Sequence, residues 1–124
     1  MSERNFKVNF KYLIAIFWTL LIFTGCMVSS SMLKVNGVDN IVGFDKLAHF
    51  ILYSVCSWLW MTALMSDKTR KNATLYTISG LIILGFITEC LQAGLTKDRS
   101  FEFYDILANV VGTIFGTTIF LKLL

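Results

Sequence analysis

Three short motifs carry most of the chemistry this chain can offer: Asp45-Lys46-x-x-His49-x-x-x-Tyr53, Glu89-x-x-Gln92 and Asp105-x-x-x-Asn109. Each lies inside an apolar run or at its mouth. Glu89 is the extreme case, because Phe86-Ile87-Thr88-Glu89-Cys90-Leu91-Gln92 belongs to a stretch otherwise apolar enough to cross a bilayer. Ionisable groups at membrane depth are costly, mark functional sites by default and need a partner. His49 and Glu89 are residue types that exchange protons with a bound molecule. Lys46 and Arg99 are types that hold a phosphate or carboxylate through charge-assisted hydrogen bonds.

The elements that must position these groups follow from composition. Of the 124 residues 56% are apolar and only 15% charged, and proline is absent. Soluble domains carry about 25% charged residues. The charges here are also clumped, leaving long uncharged runs. The chain therefore reads as one integral membrane domain over residues 1–124, with no room for a separate soluble module. Runs of about 20 apolar residues span a hydrocarbon core of about 30 Å. Four such runs fall at about 12–32, 46–66, 73–94 and 105–121. The expected fold is an all-α membrane protein, a bundle of four transmembrane helices. Asp45 is placed to cap the second helix. No sequence repeat or low-complexity segment stands out.

Lys and Arg set the orientation. Arg4, Lys7, Lys11, Lys68, Arg70, Lys71 and Lys122 share one side of a four-span chain, and Lys34, Lys46, Lys97 and Arg99 the other. By the positive-inside rule the N- and C-termini are expected to be cytoplasmic. The net charge of +3 is then a topology signal, and no nucleic-acid partner is expected. The expected partner is the lipid bilayer itself.

Depth and phase bring the motifs together. At about 1.5 Å per residue, His49, Glu89 and Asn109 lie one to two turns below the same, outer surface. Asp45, His49, Tyr53 and Cys56 form one helical stripe, Gly85, Glu89, Gln92 and Thr96 a second, and Asp105, Asn109, Gly112 and Gly116 a third. Gly112-x-x-x-Gly116 lets another helix approach closely, which turns the third stripe inward. The expectation is a polar pocket opening outward, lined by His49, Tyr53, Glu89, Gln92 and Asn109 and rimmed by Asp45, Lys46, Arg99 and Asp105. Glu89 would be partnered by Arg99, Lys46 or His49. Taken one at a time, His49, Gln92 and Asn109 read equally as hydrogen-bonding glue between helices, and Trp18, Trp58, Trp60, Tyr53 and Tyr104 as interfacial aromatics.

Cys26, Cys56 and Cys90 all fall in apolar runs and read as small packing residues. No Cys-x-x-Cys occurs and His49 is the one histidine, so neither a metal nor another cofactor is expected. A second reading of the N-terminus is a lipoprotein signal ending in Phe23-Thr24-Gly25-Cys26, with Cys26 lipidated after cleavage. Phe23 stands where such signals usually carry an aliphatic residue, and the apolar run continues to Met32, so a retained span is the preferred reading.

Phe44-Asp45-Lys46-Leu47-Ala48-His49-Phe50-Ile51-Leu52-Tyr53 resembles the first signature of the VanZ-like family. Glu89-Cys90-Leu91-Gln92 resembles its second, and Arg99 followed by Asp105-Ile106-Leu107-Ala108-Asn109, Gly112 and Gly116 its third. The three occur in the family's order and span roughly residues 44–120. Phe101-Glu102-Phe103 departs from the pattern by carrying an acid. The resemblance implies a multi-pass protein of the bacterial cytoplasmic membrane, from a family named for a member associated with resistance to the glycopeptide teicoplanin. It implies Asp45, Lys46, His49, Tyr53, Glu89, Gln92, Arg99, Asp105, Asn109 and Gly112 as site residues. Two functions follow as expectations. One is a binder of an anionic lipid, a cell-wall intermediate or a glycopeptide. The other is a membrane enzyme using His49 and Glu89 as an acid/base pair on a lipid-linked cell-wall intermediate. No nucleophile motif decides between them.

Overall fold

The computed structural model describes residues 2–35, 44–95 and 103–124, apart from the side chains of residues 26–35, 44, 45 and 95. Among these are four helices: α1 (Glu3–Val35), α2 (Phe44–Leu64), α3 (Arg70–Leu95) and α4 (Phe103–Lys122). All four are long and apolar enough to cross a membrane, which makes the chain a multi-pass, all-α membrane protein. Large apolar side chains such as Phe17, Leu75, Ile83 and Phe115 lie on the outside of the bundle, where lipid tails are their natural neighbours.

Helix α1 departs most from the expected span of 12–32. It begins at Glu3, and Ser2 caps it by accepting the Asn5 N–H at 3.3 Å. The reason is local. Nothing between Glu3 and Lys11 breaks a helix, and Arg4, Lys7 and Lys11 keep their charged heads in water along an exposed face. Lys11 and Tyr12 are level with the turn between α2 and α3. The Tyr12 hydroxyl donates to Asp67 Oδ1 at 2.7 Å and Lys11 Nζ to Ser66 Oγ at 3.3 Å. Residues 3–11 therefore extend about 12 Å beyond the turn that joins α2 to α3.

That turn is short and hydrogen-bonded, with the Asp67 and Lys68 amides both donating to Leu64 O, at 3.2 and 2.8 Å. Thr69 then starts α3: its Oγ1 accepts the Asn72 N–H at 3.3 Å, and its carbonyl the Ala73 N–H at 2.9 Å. Replacing a threonine cap by alanine costs about 1 kcal/mol. Thr69→Ala should lower stability by that amount in micelle unfolding, while Thr69→Ser should be close to neutral. Asp45 lies inside the first turn of α2, one residue after Phe44, and not ahead of the helix as expected of a cap.

Helices α2 and α4 form the most extensive pair in the bundle, and α1 and α3 the least. Glycines explain the first. A Cβ on Gly112 would lie 2.5 Å from Phe50 O, and one on Gly116 would overlap Ser57 Oγ and Ser54 O. Only glycine lets the two backbones meet this closely, and Ser54 uses the proximity: its hydroxyl sits 2.7 Å from Phe50 O and 3.0 Å from Gly112 O. Its one hydrogen is shared between a carbonyl of α2 and a carbonyl of α4. Trp58 packs edge-on against Phe120 at the far end of the same interface.

The tryptophans are helix connectors more than interfacial anchors. Trp18 Nε1 donates to Leu52 O at 3.1 Å, tying α1 to α2. Trp60 Nε1 donates to Thr19 Oγ1 at 2.9 Å, making the same tie one level down. Ile22, Tyr53, Cys56 and Leu81 form the apolar core where α1, α2 and α3 meet. Cys90, expected to pack inside, is exposed on the outer side of α3, whereas Cys56 is buried.

Candidate functional site

Each polar residue of the site reaches the interior for a reason visible on its own helix. On α4, Asp105, Asn109, Thr113 and Thr117 recur every four residues and, with Gly112 and Gly116, are buried along one stripe. On α3 the buried stripe is Gly85, Glu89 and Gln92, with the neighbours of Glu89 at Phe86, Ile87 and Cys90 facing outward. On α2, His49 and Tyr53 are buried while Leu47 and Ile51 are exposed.

The result is a polar cluster enclosed by three helices. His49 is 4% exposed, Glu89, Gln92 and Asn109 are 1%, and Asp105 is 0%. His49, Glu89 and Asn109 lie about 8 to 9 Å from the helix ends at Phe44, Leu95 and Phe103, and Lys46 and Asp105 about 3 Å. Lys46 is its one part-exposed charged member: its side chain is 33% accessible, and its ammonium lies 3.4 Å from Asp105 Oδ1. Thus Lys46 and Asp105 face each other at the mouth, and the remaining groups lie deeper.

His49 Nδ1 is 2.9 Å from Asn109 Oδ1. An amide oxygen can only accept, so Nδ1 carries the hydrogen, and Nε2 is then the ring atom able to take a proton. Gly85 on α3 makes space for this pair. A Cβ there would come within 3.0 Å of Asn109 Nδ2. Asn109 is in turn held by Thr113, whose hydroxyl donates to Asn109 O at 2.8 Å. Because the chain has one histidine, the pairing has a clean readout. Nitrogen NMR of the native protein should show the Nδ1–H tautomer of His49, and Asn109→Leu should convert it to a mixture. The same change should cost about 1–3 kcal/mol, the usual penalty for a buried donor that loses its acceptor.

Among the residues expected to form the site, the structure pairs His49 with Asn109 and Lys46 with Asp105, and buries Glu89 and Gln92 on the stripe of α3 that meets Asn109 at Gly85. Tyr53 is different. It is fully buried, but packs with Ile22, Cys56 and Leu81 in the apolar core. Full burial takes it off the outer surface of the bundle. Tyr104, by contrast, is 68% exposed. Arg99 and the Asp45 side chain lie outside the described residues, as does Thr96. The His49–Asn109 and Lys46–Asp105 pairs, which join α2 to α4, come in addition to the partner expected for Glu89, namely Arg99, Lys46 or His49. Phase placed these groups on the right faces, but the axial offset between α2 and α4 set who meets whom.

Sequence reasoning passed over Thr88, Thr113 and Thr117, all buried at 2% or less. The signal was present, since Thr113 and Thr117 continue the four-residue spacing of Asp105 and Asn109. It also passed over Ser54 and Ser57, which face the two glycines. Among the described residues no group of three or more His, Cys, Asp or Glu side chains is placed to hold a metal ion.

Compared with protein-family models, with curated proteins and with solved structures, the chain matches none.

Proposed function

We propose that the chain is a membrane-embedded recognition module of the VanZ-like type. Its polar cluster binds the anionic headgroup of a lipid or cell-wall intermediate, or a glycopeptide, at the outer face of a bacterial cytoplasmic membrane. The observation that supports this is a contrast within one interface. Along its lower half, α2 and α4 are joined by Gly112, Gly116, Ser54 and Ser57, which cost little to bury in a bilayer. Along its upper half the same two helices, with α3, enclose Lys46, His49, Glu89, Gln92, Asp105 and Asn109. Holding helices together does not need two carboxyl groups and a lysine at that depth, and such groups at membrane depth are functional by default. Lys46, accessible at the mouth, is the first contact for a phosphate or carboxylate.

The test is equilibrium binding to the purified full chain in nanodiscs, with phosphatidylglycerol, a lipid-linked cell-wall intermediate and teicoplanin as separate probes. One of them should bind saturably. Lys46→Gln should weaken that binding at least about tenfold, the usual size of a lost charge-assisted contact, and Glu89→Gln should change it too. Wild-type affinity in both variants would sink the reading. In the expected orientation a resistance or envelope phenotype in cells should follow the same variants at equal protein level.

The His49–Asn109 pair supports a second reading, an enzyme. Fixing the hydrogen on Nδ1 presents Nε2 as a general base inside the cluster, and Glu89 is the acid that would work with it. Turnover of the bound probe into a product, abolished by His49→Gln and by Glu89→Gln, distinguishes this from binding alone.

A further inference from the structure

A cavity of about 290 Å³ lies between α1, α2 and α3, lined by Thr19, Trp60, Leu64, Tyr76, Thr77, Gly80, Leu81 and Leu84. It is separate from the polar cluster. Trp60 and Leu64 are in the last turns of α2, whereas His49 is near its start. Along α3 the cavity runs from Tyr76 to Leu84, about 12 Å. It flanks the α1–α3 seam, the least extensive contact in the bundle. Gly80 there is exposed, and a Cβ added to it would meet nothing within 4 Å.

Water is poorly held in this space. A buried water needs two to four polar partners, and the lining supplies almost none. Thr19 is already complete: its hydroxyl donates to Ala15 O at 2.8 Å, accepts from Trp60 Nε1 at 2.9 Å and sits 3.5 Å from Cys56 Sγ. Thr77 Oγ1 is itself shielded, with less than 1 Å² accessible. Apolar cavities of about 150 Å³ stay dry and take up apolar molecules, and an empty one forfeits dispersion contacts on every wall. At this depth the apolar molecules at hand are lipid tails.

The headgroup is named by charge. Arg70 and Lys71 begin α3 just above the cavity, with Lys68 and Lys11 beside them. Arg70, Lys71 and Lys68 are exposed, and the only carboxylate in that turn, Asp67, is occupied by Tyr12 and Lys68. We propose that this cavity is a lipid site. It takes one acyl chain of an anionic glycerophospholipid from the leaflet on the Asp67 side, with the phosphate held by Arg70 and Lys71. It is independent of the headgroup site around Lys46, which lies at the other end of the bundle.

Trp60 reports occupancy directly. In a Trp18→Phe/Trp58→Phe background, Trp60 fluorescence is measured in vesicles of phosphatidylcholine containing rising fractions of chain-brominated phosphatidylglycerol or chain-brominated phosphatidylcholine. Quenching should half-saturate at about thirtyfold lower mole fraction for the anionic lipid, as two basic residues at a membrane surface give. Arg70→Gln/Lys71→Gln should remove that preference. Gly80→Leu should block the cavity and reduce quenching to the level of a lipid-facing tryptophan, and its open surroundings let it fold. Native mass spectrometry of the Lys46→Gln chain, with all tryptophans intact, provides the second measurement: one phosphatidylglycerol retained, and lost when Gly80→Leu is added. Equal quenching by both lipids together with no effect of Gly80→Leu means annular lipid only, and overturns the proposal. Lys46→Gln should leave the Trp60 quenching and its anionic preference unchanged, which separates failure here from failure of the headgroup reading.

Discussion

Gly116→Ala should be among the most damaging single-methyl additions this chain can suffer. The added Cβ overlaps Ser57 Oγ and the Ser54 backbone carbonyl. Side chains can turn away, but a backbone carbonyl on a packed helix moves only with the helix. The α2–α4 pair must therefore separate, and with it the Ser54 bond to Gly112 O and the packing of Trp58 on Phe120. Overpacking of this kind costs about 1–3 kcal/mol, and Gly116→Leu should prevent folding altogether. Ser57→Gly should rescue Gly116→Ala only in part, because it removes one of the two obstacles and leaves the Ser54 carbonyl in place. Gly80→Ala is the control. It meets nothing within 4 Å and should be neutral or stabilising by about 0.5–1 kcal/mol through helix propensity. Unfolding in mixed micelles, followed by helical circular dichroism, ranks the four variants. Equal stability of Gly116→Ala and Gly80→Ala would contradict the close approach.

The second large effect concerns the mouth of the polar cluster. Asp105 is fully buried and Lys46 Nζ lies 3.4 Å from it. Removing one member of a buried ion pair costs about 3–5 kcal/mol because the other charge stays behind. Lys46 is a third exposed, so water offsets part of that, and Lys46→Met should cost about 2 kcal/mol. Asp105→Leu should be comparable. The double variant Lys46→Met/Asp105→Leu should recover to within about 1 kcal/mol of wild type, since apolar replacement of both partners is often neutral. It should nevertheless lose the headgroup binding proposed for this site. That combination, stability regained with function absent, would show that the pair is kept for recognition. Additive losses in the cycle would instead mean that the two groups act independently.

Much of this architecture was legible from residue order. Clumped charges and four apolar runs of about bilayer length announced the helices, and their described ends fall within a few residues of expectation, α1 excepted. The exception is instructive. Hydropathy marks where a helix is in lipid, not where it stops being a helix, and the basic segment before Tyr12 continues α1 outward to Glu3. Helical periodicity also placed His49, Glu89, Gln92, Asp105, Asn109, Gly112 and Gly116 on inward faces, because a period of 3.6 residues fixes which side chains share a stripe.

What periodicity does not contain is the rotation and axial offset of one helix against another, and every pairing depends on those. Tertiary packing alone decided that His49 meets Asn109 and that Lys46 meets Asp105. It decided that Tyr53 joins Ile22 and Leu81 in the apolar core. It turned Trp18 and Trp60 into cross-helix donors. It also left a cavity of about 290 Å³ beside Gly80 that no motif announced. The three motifs determined by themselves that polar groups would converge at one end of an apolar bundle. The depth of glycine contact between α2 and α4 determined how closely, since backbone steric fit is a property of two helices together and of neither sequence stretch alone.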